Sequence, residues 1–310
     1  MSAILSIILG VLEEGLVYSI MAMGVYITYK ILDFPDLSVD GTFPLGSAVT
    51  AVLIIAGVNP VLTLPISFLI GACAGMLTGL IHVKLKVRDL LSGIIMMTAL
   101  YSINLRIAGK ANLPIFSQDT IFKNDFFKTT VPKILQPYIM VLLLLVIAII
   151  MKLLLDGYLK TKSGYLLRAV GDNEVLVTAL AKDKGTVKII GLAIANAFVA
   201  LAGSIYAQKS GFFEISTGTG TIVIGLASVI IGTNLFKRTP FMKANGLFKK
   251  GIAVKATTAV VVGAILYKAC VAVAIAAGME ASDLKLITAL LFLIILVVSN
   301  DRKRRVKVSD

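Results

Sequence analysis

Eight stretches of roughly 20 mainly apolar residues recur along the chain, at about residues 3–29, 60–83, 89–108, 136–155, 188–208, 218–236, 255–278 and 284–300. Each is long enough to cross the hydrocarbon core of a bilayer as a helix. In that core every backbone N–H and C=O needs an internal partner, so runs of this length span as helices. A ninth run, Phe43 to Ala56, is short for a crossing and reads as a half-helix completed by the irregular segment before it. The expectation is an all-α integral membrane protein: a polytopic bundle of about 8–10 transmembrane segments with a broken helix near residues 31–57, forming one domain over residues 1–310.

A net charge of +13 in a soluble chain would suggest an acidic partner such as nucleic acid. Here the positions of the charges explain them. Of the 30 Lys and Arg, 21 fall in one alternate set of loops (84–88, 152–188, 237–255) and the tail 301–310, against six in the opposite set. Such asymmetry marks the cytoplasmic face, so the C-terminus is expected inside and no nucleic acid is needed. The long loop around 156–187 is then cytoplasmic, and the loop 109–135 faces out.

No phosphate-cradling G-x-x-x-x-G-K-[ST], no H-E-x-x-H and no G-x-S-x-G occurs, and Cys73, Cys270 and His82 make no ligand or catalytic set. Both cysteines read as packing residues and His82 as an interfacial side chain. The small-residue run Gly71, Gly75, Gly79 places one face of a span where helix backbones can approach closely, within the bundle or across a dimer contact. Intramembrane charges are costly and are either paired or functional. Glu13 and Glu14, about midway along the first span, and Lys268, near the middle of 255–278, are open to both readings: a packing pair, or part of a transport path. Asn104, Asn196, Gln208, Thr233 and Asn234 line a polar cavity or bond across helices.

The segment "ILDFPDLSVDGTFPLGSAV", residues 31–49, interrupts the apolar pattern with Pro35, Pro44, Gly41, Gly46 and three aspartates. Irregular backbone is tolerated at membrane depth only where protein or a cavity surrounds it, and transporters use broken helices to present backbone dipoles to a solute. Asp40, Thr42 or Ser38 would cap the half-helix that follows; an ordinary short loop is the alternative. In the cytoplasmic stretch 163–191, Asp172 or Asn173 is a good N-cap, Glu174 suits the positive helix end, Val175, Leu176, Ala179 and Leu180 form an apolar face, and Gly185 stops the helix. This amphipathic helix rests on lipid or docks into a partner.

The stretches "GYLLRAVGDNEVLVTALAKDKG", "IANAFVALAGSIYAQKSG" and "GTGTIVIGLASVIIGTNLF", in that order, resemble the permease subunits of ABC importers of the branched-chain amino acid and ribose type. The N-terminal "GLVYSIMAMGVYITYKILDFPDLSVDGTFPLGSAV" is most similar to the subgroup paired with tryptophan- or tyrosine-type binding proteins. The likeness covers nearly the whole chain. Departures are Asp183, Lys184 and Gly185, where the family often has an apolar turn, and Ile231 before Gly232, where sugar permeases tend to carry a second Gly; both argue against a sugar.

The resemblance implies a non-catalytic permease of the bacterial plasma membrane that passes an aromatic or branched-chain amino acid inward. It implies ATP and Mg on a separate ABC ATPase subunit, no cofactor on this chain, an extracytoplasmic binding protein, a second copy of the chain, and surrounding lipid. Arg168, Ala169, Asp172, Asn173, Glu174 and Ala179 would couple to the ATPase. Asp36, Ser38, Asp40, Asn104, Asn196, Thr233 and Asn234 are candidates for the translocation pathway. The competing class is an ion-coupled secondary transporter using Glu13, Glu14 and Lys268.

Overall fold

In the computed structural model, which describes residues 3–124, 132, 136–173, 177, 183–237, 255–278 and 283–307, helices account for nearly all the regular structure. They are α1 (Ala3–Val25), prolonged by a π-helical turn Tyr26–Ile31; α2 (Val39–Ile55); α3 (Pro60–Lys84); α4 (Asp89–Ala108); α5 (Gln136–Tyr158); α6 (Lys162–Asp172); α7 (Lys184–Ser210); α8 (Thr221–Lys237); α9 (Ala256–Ala276); and α10 (Leu284–Lys307). Among the described residues seven helices are long and apolar enough to cross a membrane, and two shorter apolar helices, Val39–Ile55 and Leu286–Val297, complete the set. The expected spans and the observed helices agree to within a few residues.

Local chemistry sets the ends. Asn59 caps α3 by accepting the Val61 N–H at 2.9 Å, with Pro60 in the first turn where its missing donor costs nothing. Gly211 ends α7 at φ 81°, a left-handed conformation that glycine adopts without penalty. Beyond it, β2 (Phe212–Glu214) pairs antiparallel with β1 (Asn112–Pro114), tying the far ends of α4 and α7 together. At the basic end of the bundle, Asp156 on α5 accepts from Thr257 at 2.6 Å and pairs with Lys152 and Lys255 at 3.0 and 3.1 Å, which fixes the start of α9.

The helix at the centre is α7. Inside a bilayer there is no solvent-driven term to press helices together, so packing and backbone proximity must do it. The Gly71, Gly75, Gly79 face of α3 lies against α7: a methyl at Gly75 would sit 2.1 Å from the Leu192 carbonyl oxygen, and one at Gly79 2.8 Å from the Ile189 Cα. This face is therefore used within the chain. Beside it on α7, Gly203 and Gly46 bring α2 just as close, each leaving 1.9 Å between a would-be methyl and a carbonyl oxygen, of Phe43 and Ala200 respectively. Hydroxyls reinforce the contact, with Thr50 joined to Ser67 at 2.9 Å and to Ser204 at 2.6 Å, and Ser47 donating to the Gly203 carbonyl at 2.7 Å. Gln208 likewise bonds across helices, donating to Thr63 and the Pro60 carbonyl and accepting from the Ile121 N–H. Cys73 and Cys270 are free and exposed, on outward faces instead of in the packing.

Gly203→Val should displace α2 from α7. Overpacking of this kind costs about 1–3 kcal/mol or more, so the thermal midpoint of the purified protein in detergent should fall by several degrees or the monodisperse peak be lost. Gly157→Ala, where no neighbouring atom lies within 4 Å of the added methyl and alanine favours the helix, should not lower the midpoint.

Candidate functional site

The break between the π-helical turn and α2 is confined to residues 32–38 and is shorter than the sequence suggests. Pro44 does not stop the helix; α2 begins at Val39 and carries Pro44 inside. Without an N–H, Pro44 leaves the Asp40 carbonyl free of its helical bond, and Gly218 packs there, so close that a methyl would lie 2.1 Å from that oxygen. Asp33 takes φ 52°, a region short polar side chains tolerate. Asp36 closes a local turn by accepting the Ser38 N–H at 2.9 Å, and its other oxygen accepts from Asn196 Nδ2 of α7 at 2.8 Å. Ser38 Oγ returns to Asn196 Oδ1 at 3.2 Å. All three side chains are buried. A buried polar knot so fully bonded fixes one geometry of the break.

Ser38 holds the N-cap position of α2, but its side chain serves that knot and makes no cap bond. Asp40 caps a different helix. Its carboxylate accepts from the Gly220 and Ile222 N–H groups at 2.9 and 2.8 Å and from the Thr221 hydroxyl at 2.9 Å, which anchors the start of α8 to the first turn of α2. Asn104 donates to the Gly41 carbonyl at 3.0 Å, and Thr233 to Val229 within its own helix at 2.8 Å. Asn234 lies beside Thr233 near the end of α8. Of these sequence candidates, Asp36, Ser38 and Asn196 converge, Asp40 stands one turn on with Asn104 bonded to the carbonyl of the next residue, and Thr233 and Asn234 stand apart.

At the basic end the surface helix α6 lies under the break. Leu167 and Val170 are buried, and the Leu167 and Leu32 methyls both close on Gly191 of α7. A methyl at Gly171 would fall 1.7 Å from the Ile31 carbonyl oxygen, so α6 abuts the end of the π-helical turn. Arg168, Ala169 and Asp172 therefore belong to a helix that precedes the one expected from sequence, begun by Thr161 accepting the Gly164 N–H at 3.2 Å. Asn173 follows in extended backbone, and its backbone carbonyl accepts from the Val177 N–H at 3.4 Å. Glu174 and Ala179 lie outside the described residues. Gly185 does not stop a helix but sits in the first turn of α7, whose cap is Asp183. The Thr186 hydroxyl and the Gly185 and Thr186 N–H groups hold the Asp183 carboxyl below its ordinary value of 3.8.

A cavity of about 760 Å³ opens between α1, α7, α8, α9 and α10 on the half of the bundle away from the basic end. None of the seven pathway candidates lines it. Glu14 and Lys268 do, together with Tyr18, Tyr206 and Tyr267. Glu14 is clasped by Lys268 at 3.1 Å and by Lys209 of α7 at 2.7 Å, and Glu13 stands 3.7 Å from Lys209. Lys209 and Lys268 expose only 13% and 14% of their side chains, while Glu14 exposes 34%, so the ammonium groups are held largely out of solvent and the carboxylate keeps an open side. The Lys268 ammonium also lies 3.8 Å from the Tyr18 ring centroid, a cation–π contact. Lys209 occupies the last turn of α7, so the cluster sits toward that end of the membrane and not at mid-depth. Sequence reading placed Lys209 in a loop and did not single out the tyrosines; nothing local marks a partner 195 residues away.

A family model for the branched-chain amino acid transport system permease component matches residues 7–299. The chain is 43% identical over 293 residues to the tyrosine transport system permease protein of Clostridioides difficile (strain R20291), covering 94% of this chain and 91% of that one. It is 28% identical over 229 residues to the probable branched-chain amino acid transport permease protein LivH of Methanocaldococcus jannaschii, covering 69% and 70%. With the ribose import permease protein RbsC of Haemophilus influenzae it shares 25% identity over 228 residues, covering 73% and 68%. No solved structure shows a significant match.

Because the Asp183 carboxyl titrates lower in the folded protein than in the unfolded chain, its cap bonds stabilise the start of α7 fully above the unfolded value. That contribution is lost as pH falls through the lower folded value. Hydrogen-exchange protection at Gly185 and Thr186, corrected for intrinsic rates, should hold down to the ordinary carboxylate value and fall below it. Asp183→Asn should remove that pH dependence.

Proposed function

The chain belongs to the branched-chain amino acid transport system permease family, a family of ABC importer subunits, and on that premise we propose that it is the membrane subunit of an ATP-driven importer of an aromatic or branched-chain amino acid. ATP hydrolysis takes place on a separate ATPase, with Mg bound there. The basic end faces the cytoplasm of a bacterium, by the excess of Lys and Arg in its loops, and the C-terminus lies on that side. An extracytoplasmic binding protein delivers solute at the opposite end. Two copies of the chain assemble, with lipid around the remaining exposed apolar faces.

The observation that carries this reading is the seating of α6 under the break. A partner pressing on Arg168, Ala169, Asp172 and Asn173, and on Glu174 and Ala179 beyond them, moves a helix whose Gly171 touches the Ile31 carbonyl with no intervening side chain. The break cannot absorb that push locally, because Asp36 and Ser38 tie it to Asn196 at the middle of α7. Asp40 carries the movement to α8. In this scheme the pathway candidates around the break act as a linkage, and Asn104, which holds the Gly41 carbonyl, steadies its α2 side. Among the described residues Glu13, Glu14, Lys209 and Lys268 form a neutral, mutually paired group, which favours this scheme over ion-coupled transport through those charges.

Purification of the tagged chain from its native membrane should bring down an ATPase subunit. In the reconstituted complex, Arg168→Glu with Asn173→Ala should lower solute uptake roughly tenfold or more, as expected for charge reversal at a docked surface, while the chain still inserts and elutes normally. Unchanged uptake by the double variant would remove the coupling assignment.

A further inference from the structure

The cavity on the outer half of the bundle combines features that neither packing nor coupling requires. Its wall is mostly apolar, and its volume of about 760 Å³ falls in the range of small-molecule sites. One carboxylate, Glu14, and one ammonium, Lys268, stand on that wall 3.1 Å apart. Three tyrosines line the same space. Gly10, one helical turn before Glu14 on the same face of α1, also lines it, and no atom lies within 4 Å of where its Cβ would be. Most glycines in these spans admit a neighbouring backbone; Gly10 admits nothing and leaves the space open.

From this we propose that the permease holds a solute site of its own, built for a zwitterionic aromatic amino acid, with Glu14 receiving the α-ammonium, Lys268 the α-carboxylate and Tyr206 the ring. The proposal rests on the importer reading above and names the class of solute.

Charge balance argues for a zwitterion in particular. Glu13, Glu14, Lys209 and Lys268 sum to zero and satisfy one another. A zwitterion inserted between Glu14 and Lys268 replaces one ion pair by two, and every charge remains paired. Lys209 keeps its 2.7 Å bond to the other Glu14 oxygen throughout and holds that carboxylate in place. A solute carrying only an ammonium or only a carboxylate leaves one charge of the wall without a partner, which is unfavourable for side chains held largely out of solvent. For the ring, Tyr18 and Tyr267 are buried in the wall, with Tyr18 stacked on Phe43 at 5.8 Å and lying under the Lys268 ammonium at 3.8 Å. Tyr206, edge-on to Tyr18 at 6.2 Å and partly exposed, is the aromatic surface offered to a solute ring. An aliphatic side chain gains the burial but not the ring contact.

The test is equilibrium binding of radiolabelled L-tyrosine to the purified permease in lipid nanodiscs, with neither binding protein nor ATPase present. Saturable binding is expected, with L-phenylalanine competing well. L-Leucine should compete more weakly. Tyramine, which lacks the carboxylate, and 3-(4-hydroxyphenyl)propionate, which lacks the ammonium, should each compete at least about tenfold less well. Glu14→Gln should weaken binding by a similar factor. Gly10→Leu is the deciding variant, because it breaks no ion pair and favours the helix, yet fills the cavity; it should abolish binding with an unaltered elution profile. Absence of saturable binding to the wild type, equal competition by tyramine, or full binding by Gly10→Leu would each overturn the site. ATP-driven uptake by the wild-type complex, measured in parallel, separates the two claims. Uptake without binding removes this site and leaves the importer; binding without ATP-driven uptake removes the importer reading and leaves the site.

Discussion

The approach of α2 and α3 to the backbone of α7 is the contact on which the rest of the structure depends. Lipid offers apolar side chains the same surroundings that a protein interior does, so burial alone gives helices little reason to associate. What distinguishes one packing from another is how near two backbones can come. Around α7 the approaches are made by Gly46, Gly71, Gly75 and Gly203, each at a place where a methyl would collide with a carbonyl or a neighbouring side chain. Serine and threonine hydroxyls add bonds between the same helices. With α7 fixed in this way, Asn196 is held where the break needs a donor and Lys209 where Glu14 needs a cation. The polar knot and the charge cluster are thus two outcomes of one packed helix.

Most of the helical order was legible in the sequence because membrane spans are governed by length and hydropathy, which are local properties. The turn chemistry around the break was only half legible. Pro44 reads as a breaker in isolation, yet the neighbouring Gly218 backbone accommodates the carbonyl that Pro44 leaves unbonded, and the helix runs through it. Gly185 reads as a stop, yet Asp183 supplies the first-turn bonds that make it a beginning. In each case a contact or a cap decided between two conformations that the residue itself permits. The small-residue face of α3 was visible as a face, but nothing in a period of four says whether its partner is another helix of the same chain or a second copy.

The candidate site was legible in its parts and not in its assembly. Asp36, Ser38, Asp40 and Asn196 were marked out as polar groups at membrane depth, and the reason they matter is the same cost of burial that made them conspicuous. That Asp36 joins Asn196 across the chain while Asp40 turns away to cap α8 depends on side-chain direction, which periodicity does not carry. Glu13, Glu14 and Lys268 stood out on the same ground. Lys209 did not, since a lysine in the last turn of a span is ordinary and can extend toward the polar boundary. Its role appears only when α1 and α7 are brought together.

The two polar systems differ in a way that bears on function. The knot at the break is made of neutral donors around one carboxylate, fully bonded and sealed, so disturbing it requires a force applied to the helices that carry it. The charge cluster borders open space, and the Glu14 to Lys268 pair forms part of the cavity wall. An ion pair facing a cavity can exchange partners with a solute at little net cost, whereas a sealed hydrogen-bonded knot cannot. On the importer reading, a subunit that responds to mechanical work at one end and to a small solute at the other needs one system of each kind. Here they are joined through α7, which holds Asn196 near its middle and Lys209 in its last turn, and through Asp40, which ties the start of α8 to α2 beside the break. Any displacement of α7 relative to α1 therefore alters both the knot and the distance from Lys209 to Glu14, so the two ends of the membrane are not mechanically independent.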